Sequence, residues 1–180
     1  MRIFIAINFS AEEKQQILKL QTQLRSQAVR GSYPKPENLH LTLAFLGETP
    51  EEKINCLKEI IDGLKILPFE ITFDHTGCFK RGRSGLWYLG IKPKPVDVGL
   101  TFLLNINSQL TNQIKKEKLY FDKKPFRAHV TLGKYIKSPK PIVLTFDPIR
   151  ISVNSISLMK SERLDGVLTY TELHKYLQEK

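Results

Sequence analysis

Two short stretches of this chain carry one pattern. His40-Leu41-Thr42-Leu43 lies within residues 37–47 and His129-Val130-Thr131-Leu132 within residues 126–134. Each is a His, an apolar residue, a Thr and a Leu, in a run that reads as a β-strand. Strand side chains alternate between faces with a period of two. His40 and Thr42 therefore share one face, opposite Leu39, Leu41, Leu43 and Phe45. In the second copy Arg127, His129 and Thr131 share a face, opposite Ala128, Val130 and Leu132. Strict alternation sets Lys134 with the apolar residues, and it reaches the other face only if the strand ends or bulges at Gly133. A chain that builds such a strand twice can set two histidines across one cleft, the minimum for paired acid–base catalysis without a metal.

The remaining composition fits a soluble globular protein of one domain or two tightly joined lobes. The chain has 180 residues, 41% hydrophobic and 26% charged, enough to bury a core without disulfides or metals. No apolar run approaches the roughly 18 residues of a membrane span. Residues 1–8 read as a first strand and not as a signal peptide, because their apolar run is short and charges follow. A cytoplasmic protein, monomeric, is expected. Cys56 and Cys78 belong to no CxxC pair and read as reduced structural thiols. The formal net charge of +10 favours a polyanionic partner, of which nucleic acid is the commonest.

Ser10-Ala11-Glu12-Glu13 reads as a capping box opening a helix to about residue 29, with Ile17, Leu20, Leu24 and Ala28 on one face. Residues 31–36 read as a loop broken by Pro34 and Pro36. Thr49-Pro50-Glu51-Glu52 reads as a second helix start with Thr49 as cap, and Ile54, Leu57, Ile61 and Leu64 as its stripe. Phe69, Ile71 and Phe73 alternate as a strand, and residues 80–85 form a basic turn before a return strand over 86–91. A helix follows Pro93 and Pro95 and runs to about Lys116. Two closing strands, over 149–160 and 166–174, meet at a turn near Asp165-Gly166. Helix, Pro-containing loop and His strand recur in that order, a weak repeat that predicts two similar lobes with helices against mainly antiparallel sheets.

Near pH 7 both protonation states of an imidazole are accessible. One neutral His can take a proton from water while one imidazolium gives a proton to a leaving alkoxide, each worth roughly 10²–10⁴ in rate. Thr42 and Thr131 can hydrogen-bond phosphoryl oxygens, and Arg127, with Lys134 if the strand allows it, can hold the developing charge. This chemistry suits a phosphodiester. His75 and His174 lack companions and read as structural. No carboxylate or cysteine stands at metal-ligand spacing from either motif His, so neither a metal nor another cofactor is expected.

With these residues in place, the chain resembles the 2H phosphoesterase superfamily, and within it the RNA 2′,3′-cyclic phosphodiesterases, also described as 2′-5′ RNA ligases. Residues 2–7 resemble the opening strand, 37–47 and 126–134 the two motif regions, 79–87 the central hairpin, and 157–161 with Tyr170 the closing hairpin. Ala128 stands where Pro is frequent, Gly31-Ser32-Tyr33-Pro34 replaces an aromatic-rich segment, and Lys134 stands where Arg is common. The resemblance implies a bilobal α+β fold with two antiparallel sheets flanking a cleft. It also implies opening of a terminal 2′,3′-cyclic phosphate on RNA, tRNA fragments among the substrates, to a 2′-phosphate. His40 and His129 would be catalytic, with His129 activating water and His40 protonating the 3′ oxygen. Thr42, Thr131, Arg127 and Lys134 would bind phosphate. Two alternatives stay open: the reverse joining of RNA ends as the main activity, and a non-catalytic RNA-binding module.

Overall fold

A computed structural model describes the whole chain except residues 65, 83, 93, 95–96 and 178–180, and except the side chain of residue 81. The expected roles of Arg83, Pro93 and Pro95 lie outside the described residues. In chain order the elements are β1 (Arg2–Asn8), α1 (Ala11–Gln27), β2 (Arg30–Ser32), β3 (His40–Glu48), α2 (Ile54–Asp62), β4 (Phe69–Phe73), β5 (His75–Arg81), β6 (Ser84–Gly90), α3 (Val98–Lys116), β7 (His129–Lys137), β8 (Ile149–Val153), β9 (Ser155–Leu164) and β10 (Val167–Leu177). Among the described residues they form two four-stranded sheets, ordered β10-β9-β1-β3 and β2-β7-β6-β5, and a two-stranded sheet of β4 and β8. Every pairing is antiparallel. The fold is the expected bilobal α+β arrangement, with one His strand in each lobe.

Local chemistry accounts for most boundaries. The Ser10 hydroxyl accepts from the Glu13 amide at 3.2 Å while the Glu13 carboxylate accepts from the Ser10 amide at 2.7 Å, so both ends of the capping box are satisfied. Asp97 caps α3 by accepting from the Leu100 amide at 2.8 Å. The expected Thr49 cap is not formed. Its hydroxyl donates to Gly47 at 3.3 Å, residues Glu51–Lys53 make a 3-10 turn, and α2 begins at Ile54 without a side-chain cap. The segment read as a loop at 31–36 contributes to β2, a short edge strand on β7. The strand expected over 149–160 is two strands in different sheets, divided at Asn154. Asp165 and Gly166 both adopt positive φ (50° and 78°), the turn expected for a tight hairpin.

The helices are exchanged between the sequence halves. α1 packs against β7 and β8, and α3 packs against β3 and β4, so each helix lies behind the His strand of the other half. Ile17, Leu20 and Leu24 of α1 and Leu103, Ile106, Leu110 and Ile114 of α3 are buried in one continuous core with Leu41, Leu43, Val130 and Leu132. Each such side chain contributes roughly 1.5–3 kcal/mol on burial, so the backs of both His strands are fixed by packing. Their other faces are left to line a cleft. Among the described residues no helix is long and apolar enough to cross a membrane.

Candidate active site

His40 and His129 occupy equivalent first positions of β3 and β7 and line one cleft of about 690 Å³ together with Thr42 and Thr131. The imidazole Nδ1 of each stands against the backbone carbonyl two residues upstream, Asn38 at 2.8 Å for His40 and Arg127 at 2.7 Å for His129. A carbonyl can only accept, so Nδ1 carries the hydrogen in both rings and Nε2 is the nitrogen that exchanges protons. Nε2 of His40 accepts from the Thr42 hydroxyl at 3.0 Å. Aromatic rings set the planes. His40 packs against Phe4 and the edge of Tyr170, with centroids 4.8 Å and 5.2 Å away. His129 meets Phe79 and Tyr88 edge-on at 5.6 Å and 5.8 Å.

Both strands break their alternation directly after the motif. The register of β3 on β1 shifts between Thr42 and Ala44, and that of β7 on β6 between Thr131 and Gly133. Leu43-Ala44 and Leu132-Gly133 are accordingly consecutive buried pairs, the signature of a β-bulge. A Cβ on Gly133 would stand 2.8 Å from the Ile136 Cδ1 methyl and 3.1 Å from the Leu24 Cδ2 methyl of α1, so the small residue lets the bulge seat closely against the helix. The two bulges transfer Phe45 and Lys134 to the cleft face. Phe45 thus stands opposite its expected face, packed near Phe4, Ala6 and Tyr170. Lys134 reaches the cleft by the bulge at Gly133 on which its placement depended.

A bulge leaves a strand carbonyl without its ladder partner, and a buried carbonyl left unpaired costs roughly 1–3 kcal/mol. The helices behind the strands supply both partners. Gln21 of α1 donates to Leu132 O at 3.2 Å and to Pro34 O at 2.9 Å. Asn107 of α3 donates to Leu43 O at 2.8 Å. The exchanged helices therefore carry, at equivalent points, the amide that stabilises each bulge.

The electrostatics follow from burial among cations. Desolvation, followed by the positive charge of Lys134, lowers the pKa of His40 to about 4. His129 is lowered as well, first by burial and then by Arg127 and Lys134. Both rings are neutral at pH 7 when the cleft is empty. Arg2, Lys35, Lys134 and Arg163 line the cleft, and no described lining residue is acidic. Arg127 precedes β7 and is exposed, its guanidinium over Phe79 at 5.6 Å from the ring centre. Its carbonyl orients His129, and its charge reaches that ring from the rim. Lys80 lies in a separate groove with Trp87. His174, expected to lack a companion, holds Asp62 at 2.6 Å. His75 meets the edge of Tyr88, with ring centroids 6.2 Å apart. Among the described residues no three His, Cys, Asp or Glu side chains gather in a way that could hold a metal ion.

The profile of the family described as LigT like Phosphoesterase matches residues 7–88. An RNA 2′,3′-cyclic phosphodiesterase of Archaeoglobus fulgidus is 33% identical over 79% of this chain and 77% of its own. One of Escherichia coli is 32% identical over 97% of this chain and 95% of its own. The crystal structure of E. coli LigT complexed with 3′-AMP superposes with a TM-score of 0.84 at 27% identity, covering 99% of this chain and 98% of that one.

Proposed function

The chain belongs to the LigT-like phosphoesterase family, and we propose that it opens the terminal 2′,3′-cyclic phosphate of RNA by two-histidine acid–base catalysis. The observation that carries this reading is the symmetry of the cleft. Two imidazoles are held by matching Nδ1 hydrogen bonds between walls that bear four cations and, among the described residues, no carboxylate. Such a site attracts a phosphodiester and offers two proton-exchanging nitrogens to it.

In the proposed step water attacks phosphorus as the bond from phosphorus to the ribose 3′ oxygen breaks. His129 Nε2 takes the water proton and His40 Nε2–H gives its proton to the 3′ oxygen. The products are a 2′-phosphate and a 3′-hydroxyl, with the proton count unchanged across the pair. Thr42 and Thr131 hydrogen-bond the phosphoryl oxygens, Lys134 neutralises the charge that builds on them, and Arg127 adds positive potential from the rim. His40 suits the acid role. A ring whose proton is held so weakly in the empty cleft becomes a strong donor once a phosphate anion has charged it. The supporting charge of +10 suits RNA as the substrate class, and the unpaired Cys56 and Cys78 suit a monomer working in the reducing cytoplasm.

The test is turnover of a 2′,3′-cyclic mononucleotide in the presence of EDTA. Wild type is expected to retain its rate under chelation, and His40→Ala and His129→Ala each to lose roughly 10²–10⁴ in rate while melting as folded proteins. A folded variant of either kind that turns over at the wild-type rate would refute the two-histidine mechanism.

A further inference from the structure

Tyr135 follows Lys134 where the register of β7 on β6 shifts a second time, between Gly133 and Ile136, and its backbone stands at φ 56°. L residues with bulky side chains rarely adopt this region, and a residue held there points to a functional constraint. Among the described residues glycine takes such positions at 47, 82 and 166, Asp165 does so in a hairpin turn and Lys118 just past the end of α3, so Tyr135 is the one aromatic residue held there and the one non-glycine residue held there within a strand. The strained backbone does not serve packing, because the side chain is 66% exposed although it lines the cleft.

The other aromatic rings of the cleft wall have partners. Phe4 and Tyr170 meet edge-on at 4.9 Å, Arg25 covers Tyr33 at 4.6 Å, and Arg2 covers Phe45 at 5.1 Å. Among the described residues the Tyr135 ring makes no hydrogen bond, ring contact or cation contact. An open aromatic face therefore stands one residue from Lys134, the cleft lysine placed for the phosphate.

We propose that Tyr135 is the platform on which a nucleobase of the RNA end stacks. The inference rests on the phosphodiesterase reading, which brings a nucleotide to this cleft. Every base has a π-face, so the platform tolerates any sequence and contributes grip without selecting a base. Lys134 and Tyr135 then divide the nucleotide between them, the first reading phosphate and the second reading the ring. Two successive breaks in register deliver them: the first, between Thr131 and Gly133, turns Lys134 inward, and the second, between Gly133 and Ile136, keeps Tyr135 beside it on the cleft.

The test compares two probes that need no turnover, a nucleoside 2′-phosphate and inorganic phosphate, bound to the full chain and followed by calorimetry. Tyr135→Gly is expected to weaken the nucleoside 2′-phosphate roughly ten- to a hundredfold, the range of one lost stacking contact. Inorganic phosphate should bind within twofold of wild type, and Tyr135→Trp should restore nucleotide affinity. Tyr135→Gly should also melt at a higher temperature than wild type, since glycine adopts this φ without strain. Loss of stability together with equal weakening of both probes would overturn the inference, because Tyr135 would then be supporting Lys134. So would unchanged affinity for the nucleoside 2′-phosphate. Nucleotide binding that depends on Tyr135 in a protein without phosphodiesterase turnover would refute the catalytic reading and leave the platform standing.

Discussion

Burial of the His40 imidazole ties the stability of the fold to pH in a window where few other groups act. In the unfolded chain a histidine takes up its proton near 6.5, whereas in the folded protein His40 does so only at about 4. Protons therefore bind the unfolded state preferentially as the pH drops below 6.5, and the folded state loses stability until about pH 4, below which the loss levels off. The drop from 6.5 to about 4 amounts to roughly 3 kcal/mol, most of it already lost at pH 4.5. That is a large share of the roughly 5–15 kcal/mol that holds a domain folded. Asp74 and Asp122 are shifted below the usual carboxylate value of 3.8, so their loss falls at lower pH and leaves the window clear. His129 shifts in the same direction as His40 and remains in the comparison variant. Urea unfolding of wild type and His40→Gln at pH 7 and pH 4.5, with a shared m-value, isolates the His40 share. Wild type should lose roughly 2–3 kcal/mol more than the variant between the two pH values. A difference below about 0.5 kcal/mol would mean that the ring is not desolvated in the folded protein, and the charge argument for the site would fall with it.

The same shifts set the kinetics. The profile of kcat/KM against pH reports the free protein. With one imidazole at about 4 and the other below 6.5, it should be bell-shaped and peak on the acid side of 6.5. By pH 8 it should have fallen more than tenfold, while kcat peaks at higher pH because bound phosphate raises both values. A flat kcat/KM between pH 6 and 8 would count against this. Gln21→Leu removes the donor to Leu132 and Pro34 and should cost roughly 1–3 kcal/mol in a denaturant melt. It should also raise KM for a cyclic mononucleotide by releasing the bulge that aims Lys134, and an unchanged KM would detach the bulge from phosphate binding. Lys134→Ala should raise KM for that substrate more than Arg127→Ala does, since the lysine lines the cleft and the arginine lies over Phe79. Equal effects would show that rim charge suffices.

The sequence made the His strands legible because period-two alternation is a local property. It placed His40, Thr42, His129 and Thr131 on one cleft and Leu41, Leu43, Val130 and Leu132 behind it. The alternation fails after each motif, where Phe45 and Lys134 change face. The bulges responsible depend on Asn107 and Gln21, amides 64 and 111 residues away from the carbonyls they satisfy. Nothing near His40 or His129 encodes those partners. One faint local signal exists, a small residue (Ala44 or Gly133) directly after each tetrad. Glutamines on α1 were equally silent. Gln23 and Gln27 each pair through both amide atoms with the backbone of Thr145 and Val143, which docks an irregular segment that no periodicity marks. Arg2, Lys35 and Arg163 join the cleft from segments far apart in the chain. Their convergence is a property of sheet order, with β9 beside β1, and not of any motif.

A cation-lined cleft creates a difficulty for acid catalysis. The charges that draw in a phosphate also oppose protonation of the imidazoles, and Lys134 lowers both. The substrate resolves it. A bound phosphodiester brings a negative charge against the lysine and the rings together, and it offsets the repulsion at the moment when a protonated His is needed. An empty cleft therefore holds two bases, and an occupied one can hold a base and an acid. Which ring charges is decided by geometry, since matching carbonyls already fix the tautomer of both. Both rings lie against two aromatic side chains, but His40 is the more deeply buried of the two, so its charged form depends most on the anion. On the proposed mechanism that difference in enclosure suits His40 to the acid role and His129 to the base role.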